Sequence, residues 1–220
     1  MKKIQGFTLV EIAIVLVIIG LLLGGILKGQ EMITQAKIKN LIADFSGVTA
    51  AYHGYQDRYR AIPGDDPGAG ARWAVAPAAT SGNGNGQVGG TYNNANAACV
   101  TTVESCNWWD HLRRAGFVAG TGTTLPFNAV TGFIGVQTGD GAAAPGPSLG
   151  GFVSLILCSA NLPDKMAIAV DTQMDDGDAR AGTVRGQLHV GGPNPAINVA
   201  ADAANYVETG TNVYTLCRTL

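Results

Sequence analysis

The chain has 220 residues, 31 of them glycine, with 14 basic and 16 acidic side chains and a formal charge of −2. That balance excludes a general nucleic-acid binder, which carries a basic surplus. The length allows one long element plus one head domain with a real core, and the many glycines and few charges predict a loop-rich head.

The first stretch reads Lys2-Lys3-Ile4-Gln5-Gly6-Phe7-Thr8-Leu9-Val10-Glu11, and the sixteen residues from Ile12 to Leu27 carry no polar side chain. With Phe7 to Val10 they make a 21-residue span interrupted only by Glu11. About 20 apolar residues cross a bilayer as a helix. A carboxylate inside such a span is expensive unless paired, and so marks a functional position. A secretory signal has its small-residue cleavage site after the apolar region. Here the only such site, Gly6, lies before it, just behind the two lysines. A cut there removes the charged leader and keeps the membrane helix. It also creates a new amine on Phe7, one helical turn from Glu11, and loss of Lys2 and Lys3 leaves 12 basic against 16 acidic side chains.

That arrangement, with the motif Gly6-Phe7-Thr8-Leu9-Val10-Glu11, resembles the type IV pilins and type II secretion pseudopilins, from Lys2 to about Tyr59. The resemblance implies an α+β fold, with a long N-terminal helix packed on an antiparallel β-sheet head. It implies cleavage between Gly6 and Phe7 by a prepilin peptidase, N-methylation of Phe7, and Glu11 as the assembly carboxylate. The partners it implies are other copies of the chain in a helical filament, the inner-membrane assembly machinery, and membrane lipid before assembly. The role is structural, not enzymatic: a type IV pilus subunit, with a secretion pseudopilin as the main alternative and a minor pilin for adhesion or DNA uptake behind it. Gly20 matches a helix-softening glycine common in that family, whereas Lys28 stands where many members carry a helix-breaking proline.

Past the span, Ile38, Leu41, Ile42, Phe45, Val48, Tyr52, Tyr55 and Tyr59 recur at three- and four-residue steps, the apolar stripe of an amphipathic helix. Pro63-Gly64 ends it. Phe7 to Tyr59 would run roughly 80 Å at 1.5 Å per residue, too long for the rest of the chain to bury. Its first half therefore needs lipid or other copies of itself. Gly20-x-x-x-Gly24 and Gly25-x-x-x-Gly29 would allow close helix approach. The expected organisation is a leader at 1–6, a helix at 7–60 with its membrane part at 7–27, and a head at 61–220.

Within the head, Ala61 to Asp66 reads as a turn-rich crossover and Ser81 to Gly90 as a loop without periodicity. Gly84-x-Gly86-x-x-Gly89 is a nominal dinucleotide fingerprint, but it lacks the preceding strand and following helix that such a site needs. Asn107 to Gly116 predicts a short helix, capped by Asn107 and ended by Gly116. Trp108, Leu112 and Ala115 share its inner face, and Arg113 and Arg114 are solvated. Phe152–Cys158, Lys165–Asp171, Thr183–Val190 and Val213–Cys217 are rich in β-formers between turns and predict the antiparallel sheet.

Four cysteines suit an oxidising compartment and allow three pairings. Cys99 and Cys106 are close enough for a small loop, which leaves Cys158 and Cys217 to close a long one; no Cys-x-x-Cys spacing exists. Lysines flank the membrane span on both sides, so charge alone does not orient it. The cysteines and the motif predict a cytoplasmic N-terminus and a periplasmic head. The final location would be a surface filament or a periplasmic pseudopilus.

Gly146-Pro147-Ser148-Leu149-Gly150 matches a nucleophile elbow, with Asp171 and His189 following in hydrolase order. The elbow needs a strand running in and a helix leaving, and neither is predicted, so a membrane-anchored hydrolase lacks its scaffold. His53, His111 and His189 are too dispersed for a metal set. Asp171, Asp175, Asp176 and Asp178 put four carboxylates in eight residues. They repel one another unless solvated or bound to a hard cation such as calcium. Thr172 and Met174 break the EF-hand register, but some secretion pseudopilins carry a calcium loop in the head. The other reading is a turn on Asp176-Gly177 with solvated neighbours.

Overall fold

The computed structural model of the protein describes residues 9–94, 103–139, 149, 152–189, 191–197 and 204–220. Helix α1 runs unbroken for 51 residues, Leu9–Tyr59. No proline interrupts it, and at Lys28 an exposed ion pair to Glu31, 2.7 Å long, bridges one turn. The helix therefore passes through Gly20 and Lys28 without a break. Arg60, at φ 55°, turns the chain out of it, immediately before Pro63-Gly64.

The chain divides into two compact units, residues 1–37 and 38–220. In the first, the described residues are helical, and the apolar side chains from Ile12 to Leu27 are exposed. Leu9 is 86% exposed and Leu21 73%. The second unit starts where the amphipathic stripe starts. Ile38, Leu41, Phe45, Tyr52 and Tyr55 are buried, with Ile42, Val48 and Tyr59 partly so. The predicted stripe is thus the helical side of the head's core, and the last part of α1 belongs to the head's compact unit.

The head's other elements are α2 (Ala69–Arg72), α3 (Glu104–Arg114), β1 (Ile134–Thr138), β2 (Leu155–Pro163), α4 (Asp164–Met174), β3 (Val184–Leu188) and β4 (Val213–Thr219). The strands form one antiparallel sheet in the order β1-β2-β4-β3. Central β2 alternates between two cores, because neighbouring side chains of a strand point to opposite faces. Leu155, Leu157 and Leu162 join the α1 stripe, Trp108, Leu112, Val136 and Leu216. Ile156, Cys158 and Ala160 face the other way, with Cys217, Tyr92, Leu149, Phe152 and Ile197. Both faces of the sheet are therefore covered, one by the helix and one by loop segments. This is the α+β architecture expected.

Three local expectations are corrected. Lys165–Asp171 is helix, not strand, lying within α4. Met166, Ile168 and Val170 alternate like a strand, but the buried positions Ala167, Val170 and Asp171 follow helical spacing. Asp164 holds the helix start: its carboxylate accepts the amides of Lys165 at 2.7 Å, Thr209 at 2.8 Å and Gly210 at 2.6 Å. Helix α3 starts at Glu104 with Val103, not Asn107, at its cap, and Asn107 is buried inside it. Gly116, at φ 81°, still follows its end. Strand β1 has no counterpart among the predicted strands. Its Gly135 lies where the backbone of Tyr92 crosses so closely that a Cβ would collide with it.

Candidate functional site

The N-terminal site begins on α1. Glu11 lies in the helix's first turn and is exposed, whereas Gly6 and Phe7, the predicted cleavage and methylation positions, lie outside the described residues. From Ile12 to Leu27 the side chains that follow Glu11 are exposed and apolar. Among the described residues, α1 is the one helix long and apolar enough to cross a membrane. A carboxylate at the head of such a surface has few ways to be compensated once lipid or packed helices surround it. A cation supplied within a helical turn, by its own chain or a neighbour's, is one of them.

In the head, a disulfide joins Cys158 and Cys217, which are directly opposed on β2 and β4 with Cα atoms 4.0 Å apart. Both are fully buried. Cys106 is also disulfide-bonded; its expected partner, Cys99, lies outside the described residues.

The acidic segment at the end of α4 resolves into two parts. Carboxylate oxygens of Asp171, Asp175 and Asp176 converge to within 4.8 Å of one another. Asp171 is buried and accepts the Tyr206 hydroxyl at 2.5 Å and the Gly177 amide at 3.2 Å. Burial raises its pKa, the Tyr206 bond opposes the rise, and the charges of Asp176 and Asp175 add to it. Asp175 accepts the amides of Thr183 and Val184. Asp178 stands apart: its carboxylate is held by Arg180 at 2.9 Å and its pKa is pulled down to about 2, chiefly by that hydrogen bond. Asp171, Asp175 and Asp176 could together offer oxygens to a hard cation, whereas Asp178 is engaged by Arg180.

The hydrolase constellation does not assemble. Asp171 is engaged by Tyr206 and Gly177, while His189 Nε2 lies 2.6 Å from Thr215 Oγ1 and accepts the Asn161 amide at 3.4 Å. Neither is the other's partner, and Ser148 lies outside the described residues. Arg113 and Arg114, expected to be solvated, are half-buried braces. Arg114 pairs with Asp110 at 2.6 Å and donates to Pro77 O at 2.7 Å, and Arg113 donates to Gly122 O at 2.7 Å.

One arrangement went unread in the sequence. Asp65, Asp66 and Glu104 are all buried. Asp65 accepts the amides of Gly84 at 2.6 Å, Asn85 at 3.2 Å and Gly86 at 2.7 Å. Glu104 accepts those of Asn83 at 3.1 Å and Gly89 at 2.8 Å. Asp66 accepts the Tyr55 hydroxyl and an Arg72 guanidinium, both at 2.6 Å. The glycine-rich loop that mimics a phosphate-binding fingerprint thus spends its amides on the protein's own carboxylates. The signal available was the pairing of Asp65-Asp66 with a loop whose donors had no strand or helix to satisfy them.

A family model of the prokaryotic N-terminal methylation motif matches residues 1–27. That motif is the type IV pilin and pseudopilin signature, and the chain carries it. Searches of curated proteins and of solved structures return no match.

Proposed function

We propose that the chain, carrying this methylation motif, is a structural subunit of a type IV pilus-like filament. A prepilin peptidase cuts between Gly6 and Phe7 and the new amine of Phe7 is methylated. The subunit waits in the inner membrane, N-terminus cytoplasmic and head periplasmic, until the assembly machinery draws it into a helical array of copies. The observation that carries the reading is the motif at residues 1–27 on a continuous helix whose apolar surface is exposed. In the filament the Phe7 amine is cationic and enters a helix bundle. Pairing with Glu11 of an adjacent subunit compensates it and sets the axial register, since a subunit docked too high or low leaves both charges bare. The head contributes a surface held rigid by the Cys158–Cys217 bond, and catalysis is no part of the role.

A second reading, a type II secretion pseudopilin, shares every N-terminal step. The convergence of Asp171, Asp175 and Asp176 favours it, because some secretion pseudopilins hold calcium in the head. In that case these three residues would hold the ion, which would neutralise their mutual repulsion and stiffen the end of α4. Mass spectrometry of sheared surface filaments separates the two. A chain that dominates the filaments is a major pilin, and a trace component is a minor one. One found only in the periplasm with a secretion assembly is a pseudopilin. A mature N-terminus other than methylated Phe7 would overturn both.

A further inference from the structure

We infer that Asp65 guards two asparagine–glycine steps, Asn83-Gly84 and Asn85-Gly86, against deamidation, making the loop a latent modification site that opens when Asp65 lets go. Asparagine before glycine is the most reactive arrangement for this chemistry, because glycine has no Cβ to hinder attack. The backbone nitrogen of the glycine loses its proton and attacks Cγ of the preceding asparagine. A C–N bond forms, and the side-chain nitrogen leaves as ammonia. Water then opens the five-membered imide at either carbonyl to give aspartate or isoaspartate. One water enters and one ammonia departs, and nothing is oxidised.

The loop has every ingredient. Asn83 and Asn85 are exposed to solvent. Gly84 and Gly86 sit at φ 73° and 83°, where other residues are strained, so the turn itself asks for the two reactive pairs. Yet each attacking nitrogen is tethered. Gly84 N–H is held by one carboxylate oxygen of Asp65 at 2.6 Å and by its main-chain carbonyl at 3.1 Å, and Gly86 N–H by the other carboxylate oxygen at 2.7 Å. Asp65 is only 4% exposed, so this is a charge-assisted bond in a low-dielectric setting. Removing either proton would put an amide anion against a carboxylate, which the interior penalises more than water does. The electrophiles are turned as well: Asn83 Oδ1 accepts the Asn85 amide and Asn85 Oδ1 the Gln87 amide, both at 2.9 Å. Should either asparagine convert, a new carboxylate beside Asp65 repels it, and the loop does not close again.

The structure supplies its own control. Glu104 holds the same loop through Asn83 N and Gly89 N, neither of which attacks an asparagine. Glu104→Gln therefore loosens the loop without freeing a nucleophile. Asp65→Asn removes the charge and replaces one acceptor with a donor, freeing Gly86 N–H, whereas Gly84 N–H keeps its bond to the main-chain carbonyl of residue 65.

The experiment incubates the full chain in detergent at mildly alkaline pH and follows both asparagines by peptide mass spectrometry with isoaspartate detection. The folded wild type should react at least about tenfold slower than the same chain in urea, equivalent to about 1.4 kcal/mol in the barrier. At Asn85, Asp65→Asn should approach the urea rate and Glu104→Gln should stay near wild type. Hydrogen exchange at Gly84 and Gly86 in the wild type gives a reading that needs no variant, and both amides should be protected. Equal rates in folded and unfolded wild type, equal rates at Asn85 in the two variants, or fast exchange at both glycines would each overturn the proposal.

Discussion

Mild acid should destabilise the head through His111, which is buried, and His189, which is half-buried. His189 Nε2 accepts the Asn161 amide and lies 2.6 Å from Thr215 Oγ1, a pattern that suits a neutral ring. Burial pushes its pKa down to about 4. His111 Nδ1 accepts the Gly64 amide at 2.9 Å and its Nε2 faces the Thr80 carbonyl at 2.8 Å; burial lowers its pKa too. In the unfolded chain both titrate near the ordinary 6.5. Between the depressed and the ordinary value the unfolded state binds more protons, so stability rises with pH there and is lost as pH falls. For His189 alone, acidification from about pH 7 to about pH 5 removes about 2 kcal/mol, and partial exposure brings that nearer about 1 kcal/mol. At about 2–4 °C per kcal/mol for a domain this size, the head should melt several degrees lower, with His111 adding to the drop. The sample is a soluble head lacking residues 1–30, melted across that pH range. His189→Asn removes one titrating group and should flatten the slope in proportion. An unchanged melting temperature at the acid end, or a His189→Asn slope equal to wild type, would refute the reasoning.

Three further outcomes follow from the geometry. Glu11→Ala should leave cleavage and membrane insertion intact but abolish or sharply reduce filaments, because breaking a buried ion pair costs about 3–5 kcal/mol. Glu31→Ala, which loses only an exposed pair with Lys28, should assemble far better; normal filament yield from processed Glu11→Ala would sink the register mechanism. Replacing Cys158 and Cys217 together by alanine opens a loop with a sequence separation of 59 and should destabilise the head by about 2–4 kcal/mol, measured by urea titration. An unaltered midpoint would mean that β2–β4 pairing alone holds that end of the chain. On the pseudopilin reading, calcium should raise the melting temperature of the head, the added stability being about 2.7 kcal/mol at a hundredfold excess over its dissociation constant. Asp176→Asn should abolish the response, and Asp178→Asn, whose carboxylate sits on Arg180, should not; no response at all leaves a solvated turn.

The sequence by itself determined the N-terminal third. Such signals lie in composition and local order, so the methylation motif at residues 1–27 and the apolar run were legible without coordinates. The stripe from Ile38 to Tyr59 was legible because a period of three and four over two dozen residues admits only one element. Windows of seven residues were not so constrained. Lys165–Asp171 satisfies strand alternation and helix spacing equally well, and the choice fell to contacts far along the chain: the amides of Thr209 and Gly210 on Asp164, and the Tyr206 hydroxyl on Asp171. Strand β1 went unread because its Gly135 is explained only by Tyr92 crossing above it. The four aspartates looked alike as a string, yet folding brings three together and gives the fourth to Arg180. The partners of Asp65 were not legible locally, because the amides it holds lie about twenty residues later. Only the closed chain decides which donor a buried carboxylate meets, since burial forbids it from settling for water.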